Sequence, residues 1–279
     1  RGSDFEAVDQ TSLQISPDSA QARTSTTAPA ISADYDGDGV SDIVVWRPAL
    51  GMWFILASST DFDYHRHTAY QLGLPGDIPL SGDFDGDRRA DLVLWRPANG
   101  TWYFRLSTTS YTEISATQWG LPGDIPFIGD FDGDSRSDLT VSRASAASFF
   151  TLLSAGAFNR DRALRGEPGH LLAVNAGGPG FDLLTSDFTG DGRDDFVSVW
   201  QLLRFWSVKN SAGQFLWSLP WGAPGDTPLA CDWNRNGRSD RAMIRVASTN
   251  LLDWYIAADT GETAAFSFGS LGDTPHCRN

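Results

Sequence analysis

A nine-residue acidic loop recurs five times along the chain and constrains the fold more than any other feature of the sequence. Its full form is Asp-x-Asp-Gly-Asp-x-x-x-Asp, and the first three copies keep all four aspartates. The first aspartates of successive copies are separated by 49, 47, 57 and 45 residues. A period of this length indicates one supersecondary unit per repeat, packed against its neighbours, rather than two unrelated domains.

Each repeat predicts four short strands. A strand-like run follows each loop, as at 92–95, and an aromatic run follows it, as at 102–103. Turns of the form Gly-Asp-x-Pro keep the same period, at 76–79, 123–126, 225–228 and 272–275. Four-stranded units repeated at this interval are typical of propeller blades. We therefore predict an all-β fold, a five-bladed β-propeller with four antiparallel strands per blade and a calcium-binding loop in each blade.

The predicted domain boundaries follow from where the period begins and ends. A single propeller is expected over residues 28–275, with a C-terminal closure segment at 276–279. Residues 1–27 are rich in Ser, Thr, Gln, Ala and Asp and show no period. They predict a disordered or extended leader.

The five loops are predicted to bind calcium. Carboxylates at loop positions 1, 3, 5 and 9, with the backbone carbonyl of position 7, can converge on one point when the chain turns tightly. Hard oxygen ligands in a flexible loop favour Ca²⁺ over a transition metal. The predicted ligands are, in loop one, Asp34, Asp36, Asp38, Val40 and Asp42; in loop two, Asp83, Asp85, Asp87, Arg89 and Asp91; in loop three, Asp130, Asp132, Asp134, Arg136 and Asp138; in loop four, Asp187, Thr189, Asp191, Arg193 and Asp195; and in loop five, Asp232, Asn234, Asn236, Arg238 and Asp240.

The loops are not expected to bind equally. Loop four lacks one aspartate and loop five lacks two, and fewer charges weaken calcium binding. We predict up to five Ca²⁺ ions, with loop one the tightest site and loop five the weakest. Glycine at position 6 is replaced by Arg88 in loop two and Ser135 in loop three, where a positive φ would cost about 1 kcal/mol.

An EF-hand is the main competing interpretation of the loops. It requires a carboxylate at position 12 and flanking helices. Position 12 is apolar in four loops and serine in the fourth, and the flanks are strand-like. The EF-hand interpretation therefore fails.

The loop, its strand-flanked context and its period resemble the FG-GAP/VCBS repeats of integrin α-chain propellers and bacterial surface proteins. The resemblance covers residues 28–275. It implies a propeller with calcium bound between two strands of a blade, an extracellular location, and a role in adhesion or recognition. Five repeats differ from the seven blades of integrins, so detailed function does not transfer.

Net charge excludes some partners. The chain carries a formal charge of −14, which disfavours binding to nucleic acid and to anionic membrane surfaces. No apolar run approaches the length of a membrane-spanning helix, so no membrane insertion is expected. The acidic residues are concentrated in the predicted calcium loops, so the charge describes the metal sites more than a partner.

The two cysteines leave two interpretations open. A Cys231–Cys277 disulfide would close a loop near the end of the ring and would imply an oxidising compartment. The alternative is two buried thiols. With either interpretation, the resemblance favours a secreted or cell-surface protein.

Three functions remain open at this point. The first is a recognition or adhesion module with structural calcium and a protein or glycan ligand. The second is a carbohydrate-binding lectin with repeated aromatic pockets, since aromatic residues such as Trp53, Trp102 and Trp254 recur with the period; packing between blades is the alternative role for them. The third is a polysaccharide-active enzyme domain. The sequence suggests no catalytic constellation, so we expect no enzyme activity and no catalytic residues. An insertion near 155–170 is either a binding site or an extended hairpin.

Overall fold

The computed structural model describes residues 33–165, 167, 169–175 and 180–270, except the side chains of residues 269 and 270. The predicted leader (1–27) and the closure segment (276–279) lie outside the described residues, as do both edges of the predicted propeller range. Among the described residues, no helix is long and apolar enough to cross a membrane.

Five antiparallel sheets follow one another along the chain, each built from consecutive strands. Their strands are, in blade one, β1 (Ile43–Arg47), β2 (Met52–Leu56) and β3 (Thr68–Gln71); in blade two, β4 (Ile78–Gly82), β5 (Asp91–Arg96), β6 (Thr101–Arg105) and β7 (Ser115–Gln118); in blade three, β8 (Ile125–Gly129), β9 (Asp138–Arg143), β10 (Ser148–Leu152) and β11 (Leu171–Asn175); in blade four, β12 (Phe181–Ser186), β13 (Asp195–Trp200), β14 (Phe205–Lys209) and β15 (Phe215–Pro220); and in blade five, β16 (Thr227–Cys231), β17 (Asp240–Val246), β18 (Leu251–Ala257) and β19 (Thr263–Ser270).

These sheets are the blades of a five-bladed β-propeller, which confirms the predicted fold. The first strands of successive blades, β4, β8, β12 and β16, contact one another and mark the inside of the ring. Blade one shows three strands within the described residues. The helix α1 (Arg160–Leu164) belongs to the insertion between β10 and β11.

The hydrophobic core lies between the blades rather than at one centre. One cluster joins blades two and three, and others join blades one and two, three and four, and four and five. The recurring tryptophans Trp53, Trp102 and Trp206 are fully buried, and Trp254 is 7% exposed. Their period therefore reflects packing, so they cannot serve as exposed sugar-stacking platforms.

An ion pair recurs at one end of the blades. The aspartate of the Gly-Asp-x-Pro turn accepts hydrogen bonds from an arginine near the end of the second strand. Arg96 pairs with Asp77, Arg143 with Asp124, and Arg245 with Asp226. Each guanidinium also lies over an aromatic ring of the third strand, as Arg96 does over Tyr103 at 4.3 Å. The recurrence of these arginines thus reflects contacts inside the blade.

Blade four departs from this pattern. Trp200 stands where the other blades have arginine, and Arg204 from the following turn pairs with Asp182 instead. Arg204 and Asp182 are both buried, with 5% and 6% exposure. Gln201 Nε2 donates to the other oxygen of Asp182 at 2.7 Å.

The insertion near 155–170 folds against blade two. Phe158 lies in contact with the rings of Phe84 and Phe104, and Arg162 and Arg165 both pair with Glu167 at the surface. The single carboxylate of Glu167 thus offsets part of the charge of these two arginines.

Candidate metal centre

In blades two to five, each acidic loop connects the first strand to the second, and in loop one as in the others the aspartate at position 1 closes the turn. Asp34 Oδ1 accepts from Gly37 N at 2.6 Å, and its Oδ2 accepts from Gly39 N at 2.7 Å. Asp130 makes the same pair of bonds to Gly133 N and Ser135 N. The loop conformation is thus set by its own aspartate, since one side chain satisfies two backbone donors.

Position 6 takes up a left-handed conformation in every loop, including those without glycine there. Arg88 has a φ of 68° and Ser135 a φ of 65°. The predicted strain is therefore present in loops two and three.

We expect Ser135→Gly to raise the free energy of unfolding by about 1 kcal/mol, because glycine adopts positive φ without a Cβ clash. Ser135 is exposed, so the substitution removes little packing. Denaturant unfolding measures the change. Ser145→Gly is the control, because Ser145 is exposed in a 3₁₀ turn and does not have a positive φ. It should give no gain in stability, and equal gains in both variants would contradict the argument.

The aspartate at position 9 is buried at the start of the second strand and receives two backbone donors. Asp91 Oδ2 accepts from Phe84 N at 2.8 Å, and its Oδ1 accepts from Ser107 N at 2.7 Å. Ser58 and Ser154 donate in the same way in blades one and three. The bonds tie the acidic loop to the turn after the third strand.

Three loops bring their aspartates together. In loops one, two and three, the carboxylates at positions 1, 3 and 9 each offer an oxygen atom, and these atoms lie within 4.8 Å of one another. We call these groups the aspartate triads: Asp34, Asp36 and Asp42; Asp83, Asp85 and Asp91; Asp130, Asp132 and Asp138.

The aspartate at position 5 stands apart from the triads. Asp38 accepts from Ser58 Oγ at 2.8 Å and from Val40 N at 2.8 Å. Asp134 accepts in the same way from Ser154 Oγ and Arg136 N. Ser58 and Ser154 each follow the last aspartate of their loop by 16 residues. That spacing is a sequence signal for a contributor that loop-based reasoning missed.

Burial of the position-9 carboxylates makes their ionised form costly. Burial raises the pKa of Asp91 to about 7, and the charge of Asp85 adds to the effect. The pKa of Asp138 is also raised to about 7 by burial, with repulsion from Asp132. A divalent cation between the carboxylates would relieve this repulsion.

The donor set fits calcium. Every ligand atom that the triads offer is a carboxylate oxygen, the ligand type that hard cations take. In loop three, Asp132 Oδ2 is buried without a hydrogen-bond partner, although buried carboxylate oxygens are normally satisfied. The triad residues would hold the ion, and the ion would supply charge neutralisation.

Loops four and five differ from the first three, and neither has a triad among the described residues. In loop four, Thr189 Oγ1 donates to Asp187 at 3.2 Å, while Asp195 Oδ1 is buried without a partner. Burial raises the pKa of Asp195, and that of the neighbouring Asp194, to about 7.

Loop five gains a carboxylate from outside the repeat motif. Asn234 Nδ2 and Asn236 Nδ2 donate to Asp259 Oδ1 at 3.1 and 2.7 Å. Asp259 lies in the turn after β18, where blade one has Ser58. Sequence reasoning missed Asp259 because only the folded blade brings that turn to the loop.

The position-7 arginines reach the loop of the preceding blade with their side chains. Arg89 Nε and Nη2 donate to the carbonyl of Tyr35 at 3.1 and 3.0 Å. A Cβ added to Gly133 would lie 2.8 Å from Arg193 Nε, so glycine at position 4 makes room for the arginine. These residues were predicted as backbone ligands, and their side chains have this second role.

Backbone hydrogen bonds join the loops in sequence around the ring. The residue at position 8 donates to the carbonyl at position 1 of the loop before it: Ala90 N to Asp34 O, Ser137 N to Asp83 O, Asp194 N to Asp130 O, and Ser239 N to Asp187 O, at 2.6 to 2.7 Å. Blade-to-blade contact and loop geometry are therefore set by the same residues.

The fold and the acidic loops define a five-bladed propeller built from one repeated unit. Residues 83–141 match the FG-GAP-like repeat family, which confirms the resemblance stated from the loops. No curated protein matches the sequence significantly.

Solved structures share the fold at low sequence identity. A lectin from Agrocybe aegerita, described as recognising non-reducing terminal N-acetylglucosamine, is 15% identical with a TM-score of 0.54; the match covers 87% of this chain and 71% of the lectin. BBS1N, crystallised in complex with ARL6DN, is 10% identical with a TM-score of 0.51. The match covers 87% of this chain and 68% of the BBS1N chain. At these identities the likeness describes the fold alone.

Proposed function

We propose that this protein is a secreted or cell-surface recognition module whose propeller is held together by structural Ca²⁺. The aspartate triads carry the proposal, because three sets of converging carboxylates occupy the same loop positions in three successive blades. Calcium fills loops one to three, with loop four weaker and loop five weakest. The module binds a partner rather than turning over a substrate.

Two observations support an extracellular setting. Cys231 is buried and disulfide-bonded, which is typical of oxidising compartments; its predicted partner, Cys277, lies outside the described residues. The FG-GAP-like repeat at 83–141 agrees with such a setting.

Calcium binding is tested by titrating the chelator-treated protein with Ca²⁺ in a calorimeter. We expect about three tight sites, one for each triad. Asp85→Asn should remove or strongly weaken one of them, because a neutral amide replaces a central carboxylate. Asp61→Asn is the control, since Asp61 is exposed outside the loops, and it should leave all sites intact. Absence of saturable calcium binding in the unaltered protein would refute the proposal.

A glycan ligand is the second candidate within the recognition role. A lectin of the same fold supports it, as does an open aromatic cavity between blades four and five. The repeated buried tryptophans cannot provide one pocket per blade, so a glycan site would be a local feature of one seam.

A further inference from the structure

The contact between blades four and five, here called the 4/5 seam, contains an open cavity. Its volume is about 410 Å³, and its lining includes Trp221, Met243, Arg245, Tyr255 and the carboxylate of Asp226, which pairs with Arg245. This volume falls in the range of small-molecule sites, about 300–1,000 Å³.

A comparison with the contact between blades two and three shows what has changed. Trp119 occupies the same place in its blade as Trp221, directly before the glycine of the blade linker. Trp119 is buried, and its Nε1 donates to the carbonyl of Phe150 in the next blade at 3.0 Å. Trp221 is only half-buried. Within the described part of the chain, its Nε1 makes no such bond.

Two further polar groups in the cavity lack the partner that blade two provides. In blade two, Arg96 Nη1 donates to Tyr103 Oη at 2.9 Å. In blade five, Arg245 binds Asp226 through Nε and Nη2 and lies 4.8 Å from the Tyr255 ring. No hydrogen bond joins Arg245 Nη1 to Tyr255 Oη in the described structure. The lining of the cavity therefore includes an indole, a phenol and a guanidinium that lack the hydrogen bonds of their counterparts in blades two and three.

A second guanidinium, that of Arg241, stands beside the cavity, next to the Trp221 ring and outside the lining itself. Arg241 is on the face of β17 that carries Met243 and Arg245, where the other blades have Ile43, Leu92, Leu139 and Phe196. Its guanidinium lies 5.3 Å from the Trp217 ring and 5.8 Å from the Trp221 ring. Among the described residues its guanidinium makes no ion pair or hydrogen bond, and the charge that acts on it is that of the adjacent Asp240. A half-buried cation without an acceptor favours an anionic ligand group, because desolvation strengthens a charge-assisted bond.

We propose that the 4/5 seam binds a hexuronate, a pyranose bearing a carboxylate, as found in acidic polysaccharides. The sugar's C–H face packs on Trp221 and Tyr255. Its hydroxyl oxygens accept from Trp221 Nε1 and Arg245 Nη1, and its carboxylate pairs with Arg241. The inference rests on the proposed recognition role and names a ligand class for it, while calcium binding is measured separately.

The test uses D-glucuronate as the probe and D-glucose as its neutral match, at fixed free calcium. Indole N–H signals of the ¹⁵N-labelled protein are followed during each titration. We expect glucuronate to shift saturably one signal, which is absent in Trp221→Leu; leucine is the residue that blade one has at this place. Glucose should bind about tenfold more weakly, as the loss of a charge-assisted contact predicts.

Two variants and a matched control separate recognition from folding. Arg241→Leu should abolish the preference for glucuronate, and Tyr255→Phe should weaken both sugars. Tyr103→Phe makes the same change in blade two and should leave both affinities unaltered. Unshifted indole signals, equal binding of the two sugars, or an unchanged preference in Arg241→Leu would overturn the inference. Calcium binding that survives such a result would leave the proposed calcium role standing.

Discussion

Removal of calcium is expected to lower the stability of the propeller more than any single substitution. An ion that binds only the folded state stabilises it by about 2.7 kcal/mol at a free concentration 100 times its Kd. Three independent triads would then contribute about 8 kcal/mol, which is comparable to the whole stability of many domains. We therefore expect a large fall in Tm when a chelator replaces calcium.

Thermal unfolding followed by circular dichroism, in calcium and in chelator, measures this effect. Magnesium is the control ion: it demands a near-octahedral site and dehydrates reluctantly, so it should restore little of the lost stability. Superimposable melting curves in calcium and in chelator would show that the triads do not couple ion binding to folding.

The second large effect is expected at the buried ion pair of blade four. Arg204→Met would leave the Asp182 carboxylate buried with Gln201 as its remaining side-chain donor. Removing one partner of a buried pair costs about 3–5 kcal/mol, because the other charge stays uncompensated. Denaturant unfolding of the calcium-loaded protein measures the loss.

Two further variants test that reason. Arg204→Met combined with Asp182→Leu removes both charges and should recover much of the stability. Arg162→Met breaks a surface pair with Glu167 and should have no measurable effect, since exposed pairs contribute little. A loss in the double variant as large as in Arg204→Met would locate the effect in packing rather than in charge.

The fold could be predicted because its signal is repeated. Every blade restates the same order of loop, strand and turn, so a weak pattern in one unit is supported by the others. The period of the tryptophans was also visible, and the structure explains it by packing between blades. Arg204 was not predicted because blade four has Trp200 at the position where the other blades have arginine. The arginine that pairs with Asp182 instead lies four residues later, within a turn.

The candidate metal centre was predicted in part. Positions 1, 3 and 9 converge in loops one to three, as the spacing indicated. Asp38 and Asp134 instead bind serines from another turn, and Asp259 joins loop five from 19 residues beyond its last aspartate. These contacts depend on how β-strands of one blade are placed side by side, which spacing within a nine-residue motif does not encode.

The arginine and glycine that meet between successive loops make each unit complementary to a copy of itself. Arg89, Arg136, Arg193 and Arg238 each lie against the position-4 glycine of the unit before. Duplication of a whole unit would therefore bring its own matching loop contact. Units one and five break the rule with Val40 and Arg235. In a closed ring units five and one are neighbours, so the contact between their loops cannot be the arginine–glycine pair that joins the others.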